Sequence, residues 1–285
     1  MDKTRASVRI VTDTTSALPA DYAAAHSIEI VPQIILFGKE SFREDVDLTY
    51  AAFIQRLKSS SQLPKTAAPE PRDLIAAYGR QLAAAPTVLS IHPSSDVSGT
   101  VRSARTAKAE AYANADIRII DTRTVAGGLA SMVIVASEWA EQGIAADEIV
   151  RRLEQMIPRA RTYFLVATLE YLQKGGRIGG ASALIGSALQ IKPILEIKDG
   201  HIEALEKVRT YNQALERLKQ LVLEQCPRTP DAHVSVLHAD DLNPAQLLAA
   251  DLQIALGIKD IPIYSLGAAI TTHAGPGALG IAFFA

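Results

Sequence analysis

The chain has 285 residues, of which 48% are hydrophobic and 21% are charged, a balance that is typical of globular proteins and excludes wholesale disorder or a collagen-like repeat. Lysine and arginine total 29 and aspartate and glutamate total 31, so the formal net charge of −2 gives no reason to expect a nucleic acid or an anionic membrane as a partner. Cys226 is the only cysteine, which excludes an intrachain disulfide.

The sequence has neither the pattern of a signal peptide nor that of a membrane-spanning helix. The first residues, MDKTRASVRIVTD, lack the apolar segment of a signal peptide. The most apolar stretch, 125–140, contains glycines, serines and a glutamate and is shorter than the ~20 apolar residues that a membrane span requires. We therefore expect a cytoplasmic protein with no transmembrane segment.

The first half of the chain alternates β-branched segments with helical ones. Strands are predicted at 8–13, 28–37, 87–92 and 116–121, and helices at 19–26, 48–60, 71–84, 100–113 and 127–143. Strand and helix in regular alternation predict an α/β fold, here a three-layer α/β/α domain with a mainly parallel sheet.

The pattern changes after a further helical stretch at 145–160. Strands are predicted at 161–167, 233–239, 261–266 and 278–284, a hairpin at 194–208 with its turn at Asp199-Gly200, a turn at 175–180, and helices at 210–226 and 243–257. This order predicts a second α/β domain with a mixed sheet. We place the boundary near residue 160, which gives domains 1–160 and 161–285.

Small polar residues follow three predicted strands of the first half, at 13–16, 94–100 and 121–122. Ligands of parallel sheets bind at the carboxyl ends of the strands. Ser98 has three open interpretations: a cap for the helix at 100–113, a hydroxyl in an anion site at that helix N-terminus, or a nucleophile with His273 as base and Asp13 as orienting group. Its surroundings do not match the GxSxG pattern of esterases, so chemistry alone favours the cap.

Two other motifs are weaker. GPGALG at 275–280 matches a dinucleotide-binding pattern, but only five residues follow it, so a tight turn before a terminal strand is favoured. His238, Asp240 and Asp241 are the one cluster of metal-type ligands, and without a second histidine or cysteine at ligand spacing a polar turn is favoured over a metal site. Thr66 and His273, considered alone, indicate a turn hydroxyl and a partly buried histidine.

Five ordered motifs connect these positions: VTDTTSALP at 11–19, PKTAAP at 64–69, SSDVSGT at 94–100, KGGRIGG at 174–180 with IKPIL at 191–195, and THAGPG at 272–277. With them the chain resembles the DegV family of bacterial fatty-acid-binding proteins from about Arg9 to the C-terminus. One departure is Ala67-Ala68, where the family usually has Ser-Gln. It leaves Thr66 in place.

The resemblance implies two α/β domains that hold one long-chain fatty acid between them and present its carboxylate to a separate fatty acid kinase, which forms acyl phosphate for phospholipid synthesis. It implies that Thr66, Ser98 and His273 bind the carboxylate, and that Arg177 and Arg209 lie near the head group or on the kinase-docking surface. The sequence lacks the GxxxxGK[ST] phosphate loop. We therefore expect a lipid-binding carrier rather than an enzyme, with no metal and no cofactor apart from the bound fatty acid.

Two alternatives stay open, an acyl-ester hydrolase that uses Ser98 and His273 and a carrier of another lipid. For a fatty acid, about fifteen methylenes at ~0.8 kcal/mol each outweigh head-group hydrogen bonds worth ~1.5–3 kcal/mol each. The tail would thus supply affinity and the polar residues orientation. The small apolar segments 127–136 and 183–191 are candidates for the tail-lining wall.

Overall fold

The structure is a computed structural model that describes residues 7–185 and 191–285. The strands, in chain order, are β1 (Val8–Asp13), β2 (Glu29–Val31), β3 (Ile34–Phe37), β4 (Glu40–Arg43), β5 (Lys65–Ala67), β6 (Thr87–His92), β7 (Asp116–Asp121), β8 (Ala160–Leu165), β9 (Lys192–Lys198), β10 (His201–Val208), β11 (Ser235–His238), β12 (Ile263–Ser265) and β13 (Leu279–Phe284). The helices are α1 (Ala20–Ala25), α2 (Tyr50–Ser59), α3 (Pro71–Ala84), α4 (Thr100–Ala111), α5 (Gly127–Glu141), α6 (Ala146–Met156), α7 (Glu170–Lys174), α8 (Tyr211–Gln225), α9 (Asn243–Leu256) and α10 (Gly267–Ala274).

The first sheet is fully parallel and lies between two layers of helices. Its strand order is β2-β1-β6-β7. On one face, Leu74 and Tyr78 of α3 pack with α4 against Val88 of β6. On the other face, Leu129 of α5 packs with α6 against Ile10 of β1. Apolar residues spaced three and four apart give each helix one buried face. The predicted three-layer α/β arrangement is confirmed.

The order of this sheet creates a crevice between β1 and β6. From β1 the chain proceeds to β2 on one side, whereas β6 leads to β7 on the other. Because the connections leave these two neighbouring strands in opposite directions, a crevice opens between the loops at their carboxyl ends. This is where α/β sheets bind ligands. Asp13 and His92 are the last residues of these two strands.

The predicted single strand at 28–37 is wrong, because it divides at Pro32. β2 stays in the parallel sheet, whereas β3 enters a separate antiparallel sheet of order β4-β3-β5. Proline has no amide hydrogen for a strand ladder, and the next amide, that of Gln33, donates to Thr14 Oγ1 at 3.0 Å instead of to a strand. The chain thereby leaves the parallel sheet. The small sheet that results carries Thr66, in register with Ile35.

The third sheet is mixed, in the order β10-β9-β8-β13-β11-β12, and α8 and α9 cover one of its faces. Its neighbours are antiparallel except β11 and β12, so the predicted mixed sheet is confirmed. The hairpin turn lies at Asp199 and Gly200, both with positive φ, as predicted. A Cβ on Gly200 would lie 2.5 Å from Ser94 Oγ, so only glycine lets the turn pack against the loop after β6.

Helix α10 was not predicted from the sequence, and it places His273 in its last turn. The GPGALG segment follows it as a turn, with Gly275 and Gly277 at positive φ, and then enters β13, as expected. Across residues 7–185 and 191–285, every helix is too short or too polar to span a membrane. The domain boundary near residue 160 stays a prediction.

Candidate functional site

A cavity of about 340 Å³ lies where the parallel sheet, the small antiparallel sheet, the mixed sheet and α10 meet. Its volume is within the ~300–1,000 Å³ that ligand pockets usually occupy. The polar side chains in its wall include Thr66, Ser98, Arg102, Arg177 and His273. The apolar part of the wall is formed by Val125, Ala126, Phe164, Leu172, Leu237, Leu266, Ile270, Ala274, Ala278 and Leu279, among others.

Thr66 and His273 are brought together although 207 residues separate them in the sequence. Thr66 Oγ1 lies 2.7 Å from His273 Nε2. Burial, and to a smaller extent the charge of Arg177, lowers the pKa of His273 to about 4, so its imidazole is neutral near pH 7. With its proton on Nε2 the imidazole donates to Thr66, which leaves the Thr66 hydroxyl proton available to an acceptor in the cavity. His273 Nδ1 is buried and has no hydrogen-bond partner within the described residues.

Ser98 lies in the loop between β6 and α4, half-buried in the cavity wall. Its Oγ lies 2.8 Å from Thr100 Oγ1 and accepts from the Thr100 amide at 3.3 Å. The cap interpretation therefore holds in part, because Gly99 is the N-cap residue and Ser98 supplies an oxygen to the first helical amide. The same hydroxyl also lines the cavity.

The residues of a serine hydrolase triad are not hydrogen-bonded to one another in the order that catalysis requires. His273 is hydrogen-bonded to Thr66 rather than to Ser98. Asp13 Oδ2 lies 2.7 Å from Nδ1 of His92, so it orients a different histidine from the one that the nucleophile interpretation requires. Within residues 7–185 and 191–285, Ser98 Oγ thus bonds to Thr100 and not to a histidine or a carboxylate.

Arg177 joins the polar group of the cavity, whereas Arg209 does not. Arg177 donates from Nε to the Val97 carbonyl at 3.1 Å and from Nη1 to the Gly175 carbonyl at 2.8 Å. These bonds hold the glycine-rich turn against the loop that carries Ser98. Arg209 follows β10, is exposed and is not part of the cavity wall. Arg177 thus lies with the polar residues of the cavity, and Arg209 lies outside it.

Arg102 is a residue of the site that the sequence analysis missed. It lies in the first turn of α4, lines the cavity and is exposed at its rim. Its guanidinium makes no hydrogen bond or ion pair with the part of the chain that the structure describes. The signal that could have indicated it was its place in the first turn of α4, directly after the loop that carries Ser98.

The two segments predicted to line the fatty-acid tail do not do so where the structure describes them. Segment 127–136 in α5 is absent from the cavity wall and packs between the sheets. A Cβ on Gly127 would lie 2.2 Å from Ser235 Oγ, so its small residues serve close packing of the helix on β11. Residues 183–185 are also absent from the wall, and 186–190 lie outside the described residues.

Ala67 and Ala68 contribute only methyl groups to the cavity wall. A Cβ built on Gly99 would lie 3.4 Å from Ala68 Cβ, so this segment packs directly against the N-terminus of α4. The departure from the usual Ser-Gln thus removes two polar side chains from this wall and leaves Thr66 as the hydrogen-bonding residue of the segment.

The residues His238, Asp240 and Asp241 do not form a metal site. Asp240 pairs with Lys58 at 2.6 Å, and Asp241 Oδ1 accepts from the Asn243 amide at 3.1 Å. No group of three or more histidine, cysteine, aspartate or glutamate side chains is placed to hold a metal ion within 7–185 and 191–285. The expected polar turn is what the structure shows.

Glu44 directly follows β4 and connects the small antiparallel sheet to α10, the helix that carries His273. It is 1% exposed, accepts from the Ala269 amide at 2.8 Å at the start of α10, and accepts from the hydroxyl of Thr14. Burial raises the pKa of this carboxyl from 4.5 to about 7, although the two hydrogen bonds oppose the shift.

The raised pKa gives a testable dependence of stability on pH. Between pH 4.5 and 7 the unfolded chain has released the Glu44 proton and the folded chain has kept it, so this group lowers the free energy of unfolding as pH rises. The decrease is on the order of 3 kcal/mol. We expect Glu44→Gln to remove it, as measured by urea unfolding of lipid-free protein across this range. Parallel pH profiles of the two proteins would contradict the prediction.

The whole described chain matches one sequence family. The profile of the DegV family, described as uncharacterised proteins, matches residues 7–285. The chain belongs to the DegV family. A DegV domain-containing protein of Deinococcus radiodurans is 36% identical over 280 residues, which cover 97% of this chain and 98% of the relative.

Solved structures of DegV proteins share the fold. A DegV family protein from Thermus thermophilus, described as binding fatty acid, superposes with a TM-score of 0.89 at 30% identity, covering 98% of this chain and 99% of its own. A stearic-acid-binding protein from Eubacterium ventriosum superposes with a TM-score of 0.88 at 25% identity, covering 97% and 98%. The α/β architecture of this DegV chain is thus that of structures known to bind fatty acids.

Proposed function

We propose that this chain binds one long-chain fatty acid, with its carboxylate at Thr66, Ser98 and His273 and its tail in the apolar part of the cavity. The observation that carries the proposal is the convergence of these three polar side chains, from β5, the β6–α4 loop and α10, in a cavity whose remaining wall is mostly apolar. The fatty-acid-binding relatives from Thermus thermophilus and Eubacterium ventriosum support it.

The charges around the polar group favour an anion. The guanidinium of Arg177 lines the cavity, and Arg102 at the rim has no carboxylate partner within the described residues. A bound carboxylate would also raise the pKa of His273 from its low value, because a nearby negative charge favours the imidazolium form. The head group is therefore held by hydroxyls inside a positive field rather than by one buried ion pair.

We further propose that the chain presents this carboxylate to a separate fatty acid kinase and catalyses no reaction by itself. The absence of a phosphate-loop motif from the sequence and the exposed position of Arg102 at the rim support this role. The hydrolase alternative loses support because neither His273 nor Asp13 is hydrogen-bonded to Ser98. A carrier of a different lipid is an outcome of the experiment below.

The direct test is to identify what the purified protein carries. We expect native mass spectrometry to show about one fatty acid per chain, and denaturing extraction to release a saturated or unsaturated acid with a long tail. Protein stripped of lipid should bind such an acid again at a ratio near one. Repeated extraction of a different lipid, or no uptake of fatty acid by stripped protein, would reject the proposal.

Substitution of Ser98 tests whether the polar residues orient the carboxylate while the tail supplies the affinity for the fatty acid. We expect Ser98→Ala to weaken fatty-acid binding by only ~1–3 kcal/mol, roughly 5- to 150-fold, because the buried methylenes remain. Phosphorylation of the bound acid by a partner kinase should fall much further, since a carboxylate that is not held is poorly placed for attack. Ser95→Ala is the matched control, because Ser95 lies exposed in the same loop and outside the cavity wall. Complete loss of binding in Ser98→Ala would show that affinity does not reside in the tail.

A further inference from the structure

A line of hydrogen bonds runs from the cavity into the parallel sheet. Ser98 Oγ lies 2.8 Å from Thr100 Oγ1, and Gln33 Nε2 lies 2.8 Å from the same Thr100 oxygen. Gln33 Nε2 also lies 2.9 Å from Asp13 Oδ1. Asp13 and Thr100 are 0% exposed and Gln33 is 3% exposed, so the line is buried; Gln33 also lines the cavity, whereas Asp13 and Thr100 do not.

The chemistry of the four groups fixes the direction of each bond. Asp13 Oδ1 already accepts from the Thr15 amide at 3.0 Å, and the Gln33 atom that lies 2.9 Å from it is Nε2, which can only donate. Gln33 must therefore face Asp13 with its NH₂ group. The second hydrogen of that NH₂ group is donated to Thr100.

The direction continues to the cavity. Thr100 Oγ1 accepts from Gln33, and within the described residues Ser98 Oγ is the acceptor within reach of its own proton. Ser98 Oγ also accepts from the Thr100 amide at 3.3 Å. An oxygen that accepts two hydrogen bonds keeps its proton for a third partner. The Ser98 proton is thereby left for a group in the cavity.

We infer that Gln33 is a positioning residue that makes Ser98 an obligatory hydrogen-bond donor to the head group, so that the cavity selects a carboxylate over a primary amide on the same tail. The inference rests on the fatty-acid binding proposed above. A carboxylate has two acceptor oxygens for the donors Ser98 and Thr66, whereas a primary amide has one acceptor oxygen and an NH₂ group that would face a donor. Sites built from hydrogen-bonding groups discriminate strongly against such mismatches.

Two substitutions test the hydrogen bonds from Gln33 to Ser98: one reverses their direction and the other removes the connecting hydroxyl. Gln33→Glu has no NH₂ group, and its carboxyl would share one proton with the Asp13 carboxylate beside it. Its other oxygen can only accept, so Thr100 would donate to it and Ser98 would turn its proton toward Thr100. Thr100→Val removes the connecting hydroxyl, whereas Thr100→Ser retains it. Thr100 is not part of the cavity wall, so its variants distinguish the relay from a direct contact of Gln33 with the ligand.

The experiment compares hexadecanoic acid with hexadecanamide as competitors of a fluorescent fatty acid on lipid-free protein at pH 8. We expect the native chain to prefer the acid by roughly tenfold or more, and Gln33→Glu and Thr100→Val to bring that ratio close to one, mainly through weaker binding of the acid. Thr100→Ser should restore the preference. Gln81→Glu is the matched control, because Gln81 is also buried beside a carboxylate, that of Glu29 at 3.3 Å, but outside the cavity wall.

Each result decides a different statement. An unchanged ratio of acid affinity to amide affinity in Thr100→Val would overturn the role of the Thr100 hydroxyl in connecting Gln33 to Ser98. If Gln33→Glu does not fold, the comparison of Thr100→Val with Thr100→Ser decides the question. If the native chain bound hexadecanoic acid without preferring it to the amide, the inference alone would fail. If it bound neither compound, the proposed function would fail and the inference with it.

Discussion

Replacing Ala278 by phenylalanine should lower the affinity for a long-chain fatty acid by ~100- to 1,000-fold. Ala278 is 3% exposed and its methyl group forms part of the apolar cavity wall. A phenyl ring there occupies space that the tail needs, and preventing burial of about five methylenes costs ~4 kcal/mol. The measurement is titration of lipid-free protein with hexadecanoic acid, accompanied by urea unfolding to verify that the variant is folded.

Two further variants make this prediction specific. Ala250→Phe adds the same ring to the exposed side of α9, away from the cavity, and should leave binding unchanged. Ala278→Leu adds a smaller side chain and should shift the preference toward shorter acids, which remains measurable if the phenylalanine variant proves unstable through overpacking. Native affinity in a folded Ala278→Phe variant would show that the tail lies elsewhere.

Arg209→Ala should leave the fold and the fatty-acid content unchanged while it lowers acyl-phosphate formation with a partner kinase by roughly tenfold or more, the loss expected for a docking contact of ~1.4 kcal/mol. Arg209 is exposed, has no ion-pair partner within the described residues and lies outside the cavity wall. Its planar guanidinium suits a carboxylate on a partner surface. The assay pairs lipid content by mass spectrometry with acyl-phosphate production at limiting carrier concentration.

The control for this prediction is Arg228→Ala, which removes the same charge from another exposed position of the second half of the chain. The fatty acid bound to this variant should be phosphorylated by the kinase at the same rate as the acid bound to the native chain. Equal losses in both variants would indicate a general effect of net charge, and no loss in Arg209→Ala would remove this residue from the docking surface. Acyl-phosphate formation without any kinase would reject the carrier function itself.

Local sequence patterns predicted the regular elements well where one physical signal dominated. The segments 71–84, 87–92 and 116–121 have the predicted bounds, because an apolar face at helical spacing or a continuous β-branched run is a property of neighbouring residues. The strand prediction was wrong at Pro32, because the direction of the chain after it depends on the hydrogen bond from the Gln33 amide to Thr14. Helix α10 was missed, because eight residues are too few to show a clear helical periodicity of apolar residues.

The ordered motifs of the sequence are enough to indicate the DegV family. Through that resemblance they also imply Thr66, Ser98 and His273 as head-group ligands, although none of these residues considered alone indicates that role. The line of hydrogen bonds from Gln33 through Thr100 to Ser98 and the position of Arg102 at the rim depend on the tertiary structure. The residues that line the apolar part of the cavity could not be predicted from the sequence either. Small apolar residues such as those of α5 suit close packing and cavity lining equally well. The 2.7 Å between Thr66 and His273 joins side chains 207 residues apart, and such a distance depends on how three sheets pack, which no local pattern encodes.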